Sequence, residues 1–141
     1  MPDFMTTPIR VLLVDDDPPV LNGMKTFLRV FDDLDVIATA QDGEEAVRLA
    51  GELSPDVILI DVNMPIMDGI EAARIIHTRY PRIQIIALTS HEDIETRTLM
   101  IQAGASEYLE KTVGVVRMAD TVRRVMEKAK SAVSEQLPNH S

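Results

Sequence analysis

Five short, β-branched-rich runs alternate along this chain with five stretches of helical spacing, and this alternation constrains the fold more than any single residue. The runs are Ile9–Val14, Val36–Ala40, Asp56–Ile60, Ile83–Leu88 and Glu107–Glu110. Strands separated by helices do not form hairpins; the helical crossover brings the chain back to the same sheet in parallel. The first, third and fourth runs are almost continuously apolar, as expected of parallel strands covered on both faces. The fifth carries Glu107 and Glu110, which suits a sheet edge. The expected class is α/β, a doubly wound parallel sheet with helices on both faces and all strand C-termini along one edge.

The intervening stretches carry helix signals of their own. Pro18-Pro19 opens a helix with Asp17 at its N-cap and Val20, Met24, Phe27, Leu28 and Phe31 on its apolar face, ending at Asp32-Asp33. Asp42-Gly43 turns the chain into a helix over Glu44–Glu52, with Ala46, Val47, Ala50 and Leu53 inward. Asp68 and Glu71 have capping-box spacing ahead of Ile70, Ala73, Ile76 and Tyr80. Between Glu92 and Ala103 the first half offers little apolar surface, so a helix of low local stability is expected, with Gly104 just past its end. A last helix starts near Val115 and reaches the Lys128–Ser131 region. Its seam of Val115, Ala119, Val122, Met126, Ala129 and Val133 steps by fours and threes. The seam reads as an ordinary amphipathic face, or as one that pairs with a second protomer or leads into an output domain. The organisation expected is a tail over 1–8, one domain over 9–131, and a tail or the start of a linker over 132–141.

Composition excludes several classes of function. The 141 residues include no cysteine, so there is neither a disulfide framework nor a thiolate metal site. A net charge of −9 with scattered Lys and Arg makes a poor nucleic-acid binder of these residues by themselves. No signal-peptide pattern and no bilayer-length apolar run occurs, so a cytoplasmic protein that does not enter the membrane is expected.

The strand ends supply the chemistry. The first stops at Asp15-Asp16-Asp17, the third at Asp61, the fourth at Thr89-Ser90, and Lys111 follows the fifth. Open α/β sheets place their sites along this edge. Three carboxylates converging there repel one another and call for a cation; hard oxygen donors without Cys or His favour Mg²⁺ over Zn²⁺. Mg²⁺ commonly bridges carboxylate to phosphate, and aspartate can itself become phosphorylated. Asp61 stands alone on a central strand, whereas the adjacent Asp15 and Asp16 suit metal binding; Asp61 is therefore read as the phosphoryl acceptor. Lys111, the Thr89 hydroxyl and the backbone N–H groups after Asp61 are suited to the phosphoryl oxygens.

These pieces resemble the receiver domain of two-component response regulators, relatives of the chemotaxis regulator. The match rests on Val14-Asp15-Asp16, on Asp61-Val62-Asn63-Met64-Pro65-Ile66-Met67-Asp68-Gly69, on Leu88-Thr89-Ser90, on Gly104-Ala105 and on Tyr108-Leu109-Glu110-Lys111, in that order over roughly residues 8 to 130. Ala87-Leu88-Thr89-Ser90, and Thr112 where many members have a cis proline, look like the NarL/LuxR-type subclass; without the proline, a trans bond and an altered loop are expected. The resemblance implies a flavodoxin-like (βα)5 sheet in the order 2-1-3-4-5. It also implies direct Mg²⁺ contact by Asp16 and Asp61, contact through water by Asp15, and contact through the backbone carbonyl of Asn63. Thr89 and Lys111 would meet the phosphoryl group, and Thr89 with Tyr108 would form a switch pair coupled to the face of helix four, strand five and helix five. The implied partners are a sensor histidine kinase, a second copy in a homodimer, and DNA only through an output domain outside these residues, in transcription regulation. The implied activity is limited to the chain's own phosphotransfer and slow autodephosphorylation.

Other readings are weaker. A phosphatase of the haloacid-dehalogenase type needs an acid two residues after the nucleophile, where this chain has Asn63. A phosphate-independent pseudo-receiver is opposed by the intact acidic pair, acceptor, Thr and Lys. His91, together with Asn63, would tune phosphoryl lifetime or else be a solvated first-turn residue. His77 and His140 have no evident role.

Overall fold

A computed structural model describes residues 7–64, 66–90 and 93–136, with side chains through Ala132. Five strands, β1 (Ile9–Val14), β2 (Leu34–Ala40), β3 (Val57–Asp61), β4 (Gln84–Thr89) and β5 (Glu107–Glu110), alternate with α1 (Pro18–Leu28), α2 (Gly43–Leu53), α3 (Gly69–Arg79), α4 (Ile94–Gln102) and α5 (Val115–Gln136). All four strand pairings are parallel, in the order β2-β1-β3-β4-β5. This is the flavodoxin-like arrangement expected, with β5 at an edge.

Side chains of successive strand residues point to opposite faces, and the core splits accordingly. Leu12, Val14, Ile58, Ile60, Ile85 and Ala87 face α2, α3 and α4, meeting Ala46, Ala50, Ala72, Ala73, Ile76 and Met100. Val11, Leu13, Leu59, Ile86 and Leu88 face α1 and α5, meeting Leu21, Met24, Leu28, Met118, Ala119 and Val122. Small residues on α2 and α3 let those helices lie close to the sheet. Among its described residues α4 buries only Met100, in keeping with its weak apolar pattern.

Local chemistry sets several boundaries. Asp42 Oδ1 accepts from Glu45 N at 2.8 Å and Asp68 Oδ1 from Glu71 N at 2.9 Å, so both aspartates cap helices. Asp93 Oδ1 accepts from Glu95 N at 3.0 Å, and α4 therefore begins at Ile94 rather than Glu92; His91 and Glu92 lie outside the described residues. Gly104 follows the C-cap Ala103 with φ +114, the left-handed conformation for which glycine is suited.

Four expectations need correction. Phe27 is 59 % exposed, because the buried arc of α1 runs through Leu21, Met24 and Leu28 and leaves it outside. The same helix ends at Leu28, before Asp32-Asp33. Asp17 occupies the N-cap of α1 but its side chain makes no capping bond; Pro18 and Pro19 remove the first two N–H groups, including one of the two donors a cap normally serves. Finally, α5 continues past Ser131 to Gln136, since no glycine or proline interrupts it before Pro138. Along it Ala119 and Val122 are buried, while Val115, Met126 and Ala129 are partly so.

Candidate functional site

Each polar strand end is held in place by backbone bonds to a neighbouring strand. Asp15 follows β1, and its N–H donates to Ala40 O at 3.0 Å. Its side chain is fully buried, and its Oδ1 accepts from Asp17 N at 3.0 Å, a turn that feeds α1. Asp16, between them, is exposed. Asp61 is the last residue of β3 and 4 % exposed. Its Oδ1 accepts from Asn63 N at 3.2 Å, while Val62 N donates to Leu88 O at 3.0 Å. The loop after Asp61 returns against it: Gly69 N donates to Val62 O at 2.8 Å, and a Cβ on Gly69 would stand 2.3 Å from the Asp61 carbonyl oxygen. Only glycine fits there. Thr89 closes β4, buried and in register with Glu110. The next residue, Lys111, places Nζ 2.6 Å from Asp15 Oδ2 and 3.2 Å from Asp61 Oδ2.

The electrostatics follow from this crowding. Burial pushes the Asp61 carboxyl above the usual aspartate range; Lys111 opposes that push, and Asp15 adds to it. Burial works against the Lys111 ammonium, but its close contact with the Asp15 carboxylate and the charge of Asp61 outweigh it, and the net shift is upward. A shared ion pair normally lowers the acid as it raises the base. Here the acid rises too, because the burial of Asp61 outweighs the Lys111 charge and Asp15 adds to the push. Asp15 Oδ2 is buried and lacks a well-aligned hydrogen bond, so the 2.6 Å contact with Lys111 is an ion contact only.

Asp15, Asp16 and Asp61 each offer an oxygen, all within 4.8 Å of one another. A set of hard anionic donors that includes a buried oxygen without a hydrogen bond fits an octahedral Mg²⁺. Comparison with known proteins identifies the family of this fold. The family model of the response regulator receiver domain matches residues 11–123. The chain belongs to this family. The receiver is 49% identical over 115 residues to the transcriptional regulatory protein LiaR of Bacillus subtilis, covering 82% of this chain and 54% of LiaR. A LuxR-family two-component response regulator from Aurantimonas superposes with a TM-score of 0.82 at 30% identity, covering 86% of this chain and 87% of that one. A chain of the CheX–CheY–BeF3–Mg²⁺ complex from Borrelia burgdorferi superposes with a TM-score of 0.78 at 25% identity, covering 85% of this chain and 90% of that one. The receiver spans about half the length of the curated relatives it matches.

Not every residue singled out from the sequence joins the acidic cluster of the receiver. Asn63 enters through its backbone amide, and its side chain is exposed. Tyr108 lies in β5 with its ring in the core layer of Met100, Ala103 and Ala105, and its buried hydroxyl has no hydrogen-bond partner among the described residues. Among those residues no peptide bond is cis, so Thr112 follows Lys111 through a trans bond, and a single 3-10 turn, Lys111–Val113, forms the loop. Sequence reasoning missed the contact between Lys111 and Asp15. It carried no signal, because β3 and β4 lie between β1 and β5 in the sheet. Among the described residues no helix is long and apolar enough to cross a membrane.

Proposed function

We propose that this receiver takes a phosphoryl group on Asp61 from a sensor histidine kinase and thereby switches its α4–β5–α5 face. One observation carries the reading: Asp15, Asp16 and Asp61 converge within 4.8 Å, with the Lys111 ammonium 3.2 Å from Asp61. In the transfer, an Asp61 carboxylate oxygen attacks phosphorus and the N–P bond of phosphohistidine breaks. The imidazole nitrogen keeps the electron pair and takes a proton. The Asn63 amide on Oδ1 orients the carboxylate so that its other oxygen faces the donor. Lys111 and the Thr89 hydroxyl take the equatorial oxygens as charge accumulates on them. Asp15, Asp16, Asp61 and the Asn63 backbone carbonyl would hold Mg²⁺. When bound, the ion neutralises carboxylate and phosphoryl charge.

The new dianion then draws Thr89 toward it, and Tyr108, on the neighbouring strand and packed against Met100 of α4, passes the change to that helix. With Met100 its one buried side chain, α4 moves at low cost. The readout is a homodimer or an output domain that binds DNA and regulates transcription, in the cytoplasm. The domain comprises residues 9–131, and α5 carries the chain onward toward the linker. Beyond its own phosphotransfer and slow autodephosphorylation the receiver is not an enzyme.

The test is labelling with acetyl phosphate and Mg²⁺. Wild type forms an acid-stable, hydroxylamine-labile acyl phosphate, and Asp61→Asn forms none. Undiminished labelling of Asp61→Asn at any other residue would sink the assignment.

A further inference from the structure

Among the described residues, two that are not glycine have positive φ: Ser54 at 48° and Ile66 at 69°. Ser54 is accounted for as the left-handed C-cap of α2, with its N–H on Ala50 O at 3.1 Å. Ile66 caps no helix. It is β-branched, the side-chain type least suited to this region, and it is 78 % exposed. Its loop is pinned on both sides, by Gly69 N on Val62 O and by Gly43 N on Met67 O at 3.1 Å. Met64 and Met67, on either side, pack onto the core, whereas Ile66 does not. The pinned loop requires a left-handed residue at this tip, and glycine or asparagine would supply it without strain. Isoleucine brings strain and exposed apolar surface together, with no return inside the fold.

The location of Ile66 says what it is for. The loop that carries it starts at Asp61 and closes back on the Asp61 carbonyl. Because Asp61 is only 4 % exposed, a phosphohistidine reaches it by inserting its ring, which brings the surrounding protein down onto the rim. Of the exposed residues at the strand ends, Asp16, Asp17, Asn63 and Thr112 are polar, and Ile66 is the exposed aliphatic side chain on the acceptor loop. We propose that Ile66 is the apolar contact that seats the histidine-bearing domain of the kinase over Asp61, and so a residue that discriminates a protein phosphodonor from a small one. The proposal rests on Asp61 being the acceptor.

The experiment uses two donors, acetyl phosphate and the purified histidine-kinase core that labels wild type fastest in a phosphotransfer profile of the host's kinases. Ile66→Asn relaxes the backbone and removes the apolar group; Ile66→Met keeps apolar bulk without the β-branch. With acetyl phosphate both variants label at the wild-type rate. With the kinase, Ile66→Asn raises KM about tenfold, the scale of losing one buried anchor, and Ile66→Met stays near wild type. Equal kinase transfer to wild type and Ile66→Asn overturns the proposal while leaving Asp61 as acceptor. Loss of acetyl phosphate labelling in Ile66→Asn also overturns it, since the residue would then act through loop geometry. Wild type that labels at Asp61 with neither donor refutes the acceptor reading itself.

Discussion

The Lys111 ammonium lies 2.6 Å from Asp15 Oδ2, joining the end of β5 to the end of β1 across two intervening strands. Among the described residues it is the cation paired with the fully buried carboxylate of Asp15, and it makes that carboxylate tolerable without metal.

Replacing Lys111 by Met leaves Asp15 and Asp61 facing each other without a cation. In EDTA the variant should lose about 1–3 kcal/mol of stability, the scale of breaking a mostly buried charged contact. Added Mg²⁺ should restore more stability to Lys111→Met than it adds to wild type, because ion binding stabilises in proportion to its affinity. Urea melts with EDTA and with MgCl2 measure both increments. Equal Mg²⁺ increments would show that lysine and metal do not share the site.

Two acids predict opposite responses to pH. Arg123 grips Asp33 through Nε–Oδ2 at 2.6 Å and Nη2–Oδ1 at 3.0 Å, and this hydrogen bonding holds the Asp33 carboxyl below its usual range. The stability it contributes is present above the ordinary aspartate pKa of about 3.9 and is lost as pH falls through the lower folded value. Arg123→Met should therefore unfold at a higher pH on the acid side. At neutral pH the cost should stay below about 1 kcal/mol, since the pair is half exposed. Asp61 behaves the other way. Its raised pKa means the folded state holds that proton more tightly, so stability falls as pH rises through the interval above about 3.9. In EDTA at pH 7, Asp61→Asn should be more stable than wild type by on the order of 1 kcal/mol, and the gap should close toward pH 4. Acid titrations of stability followed by circular dichroism check both signs.

Two glycines should respond in opposite directions to alanine. Gly23 sits inside α1 with nothing within 4 Å of an added Cβ, so Gly23→Ala should stabilise by about 1 kcal/mol, or roughly 3–5 °C in Tm. In Gly69→Ala the new methyl would fall 2.3 Å from the Asp61 carbonyl and 2.8 Å from Val62 Cα. That variant should melt lower and label more slowly with acetyl phosphate, because the acceptor loop must shift. A Gly69→Ala protein with unchanged Tm and labelling rate would contradict the packing described.

Much of this protein was legible in the sequence because the signals are local. Alternating strand and helix patterns dictated parallel strands, and parallel strands put Asp15, Asp61, Thr89 and Lys111 on one edge. Asp68 announced its cap by its spacing to Glu71, whereas the capping bond of Asp42, which the sequence marks as a turn, came from the structure. The tertiary structure decided what depends on which elements touch. It set Phe27 outside the core, although its helical phase sits beside that of Leu28. It put Tyr108 in the buried layer that also holds Met100 and gave Ile66 a left-handed backbone by pinning the loop at Gly43 and Gly69. It also brought Lys111 to Asp15 as well as to Asp61. Short-range spacing records hydrophobic period and hydrogen-bond capping. Contacts between residues nearly a hundred positions apart are set by the order and stagger of strands in the closed sheet, and no local preference encodes them.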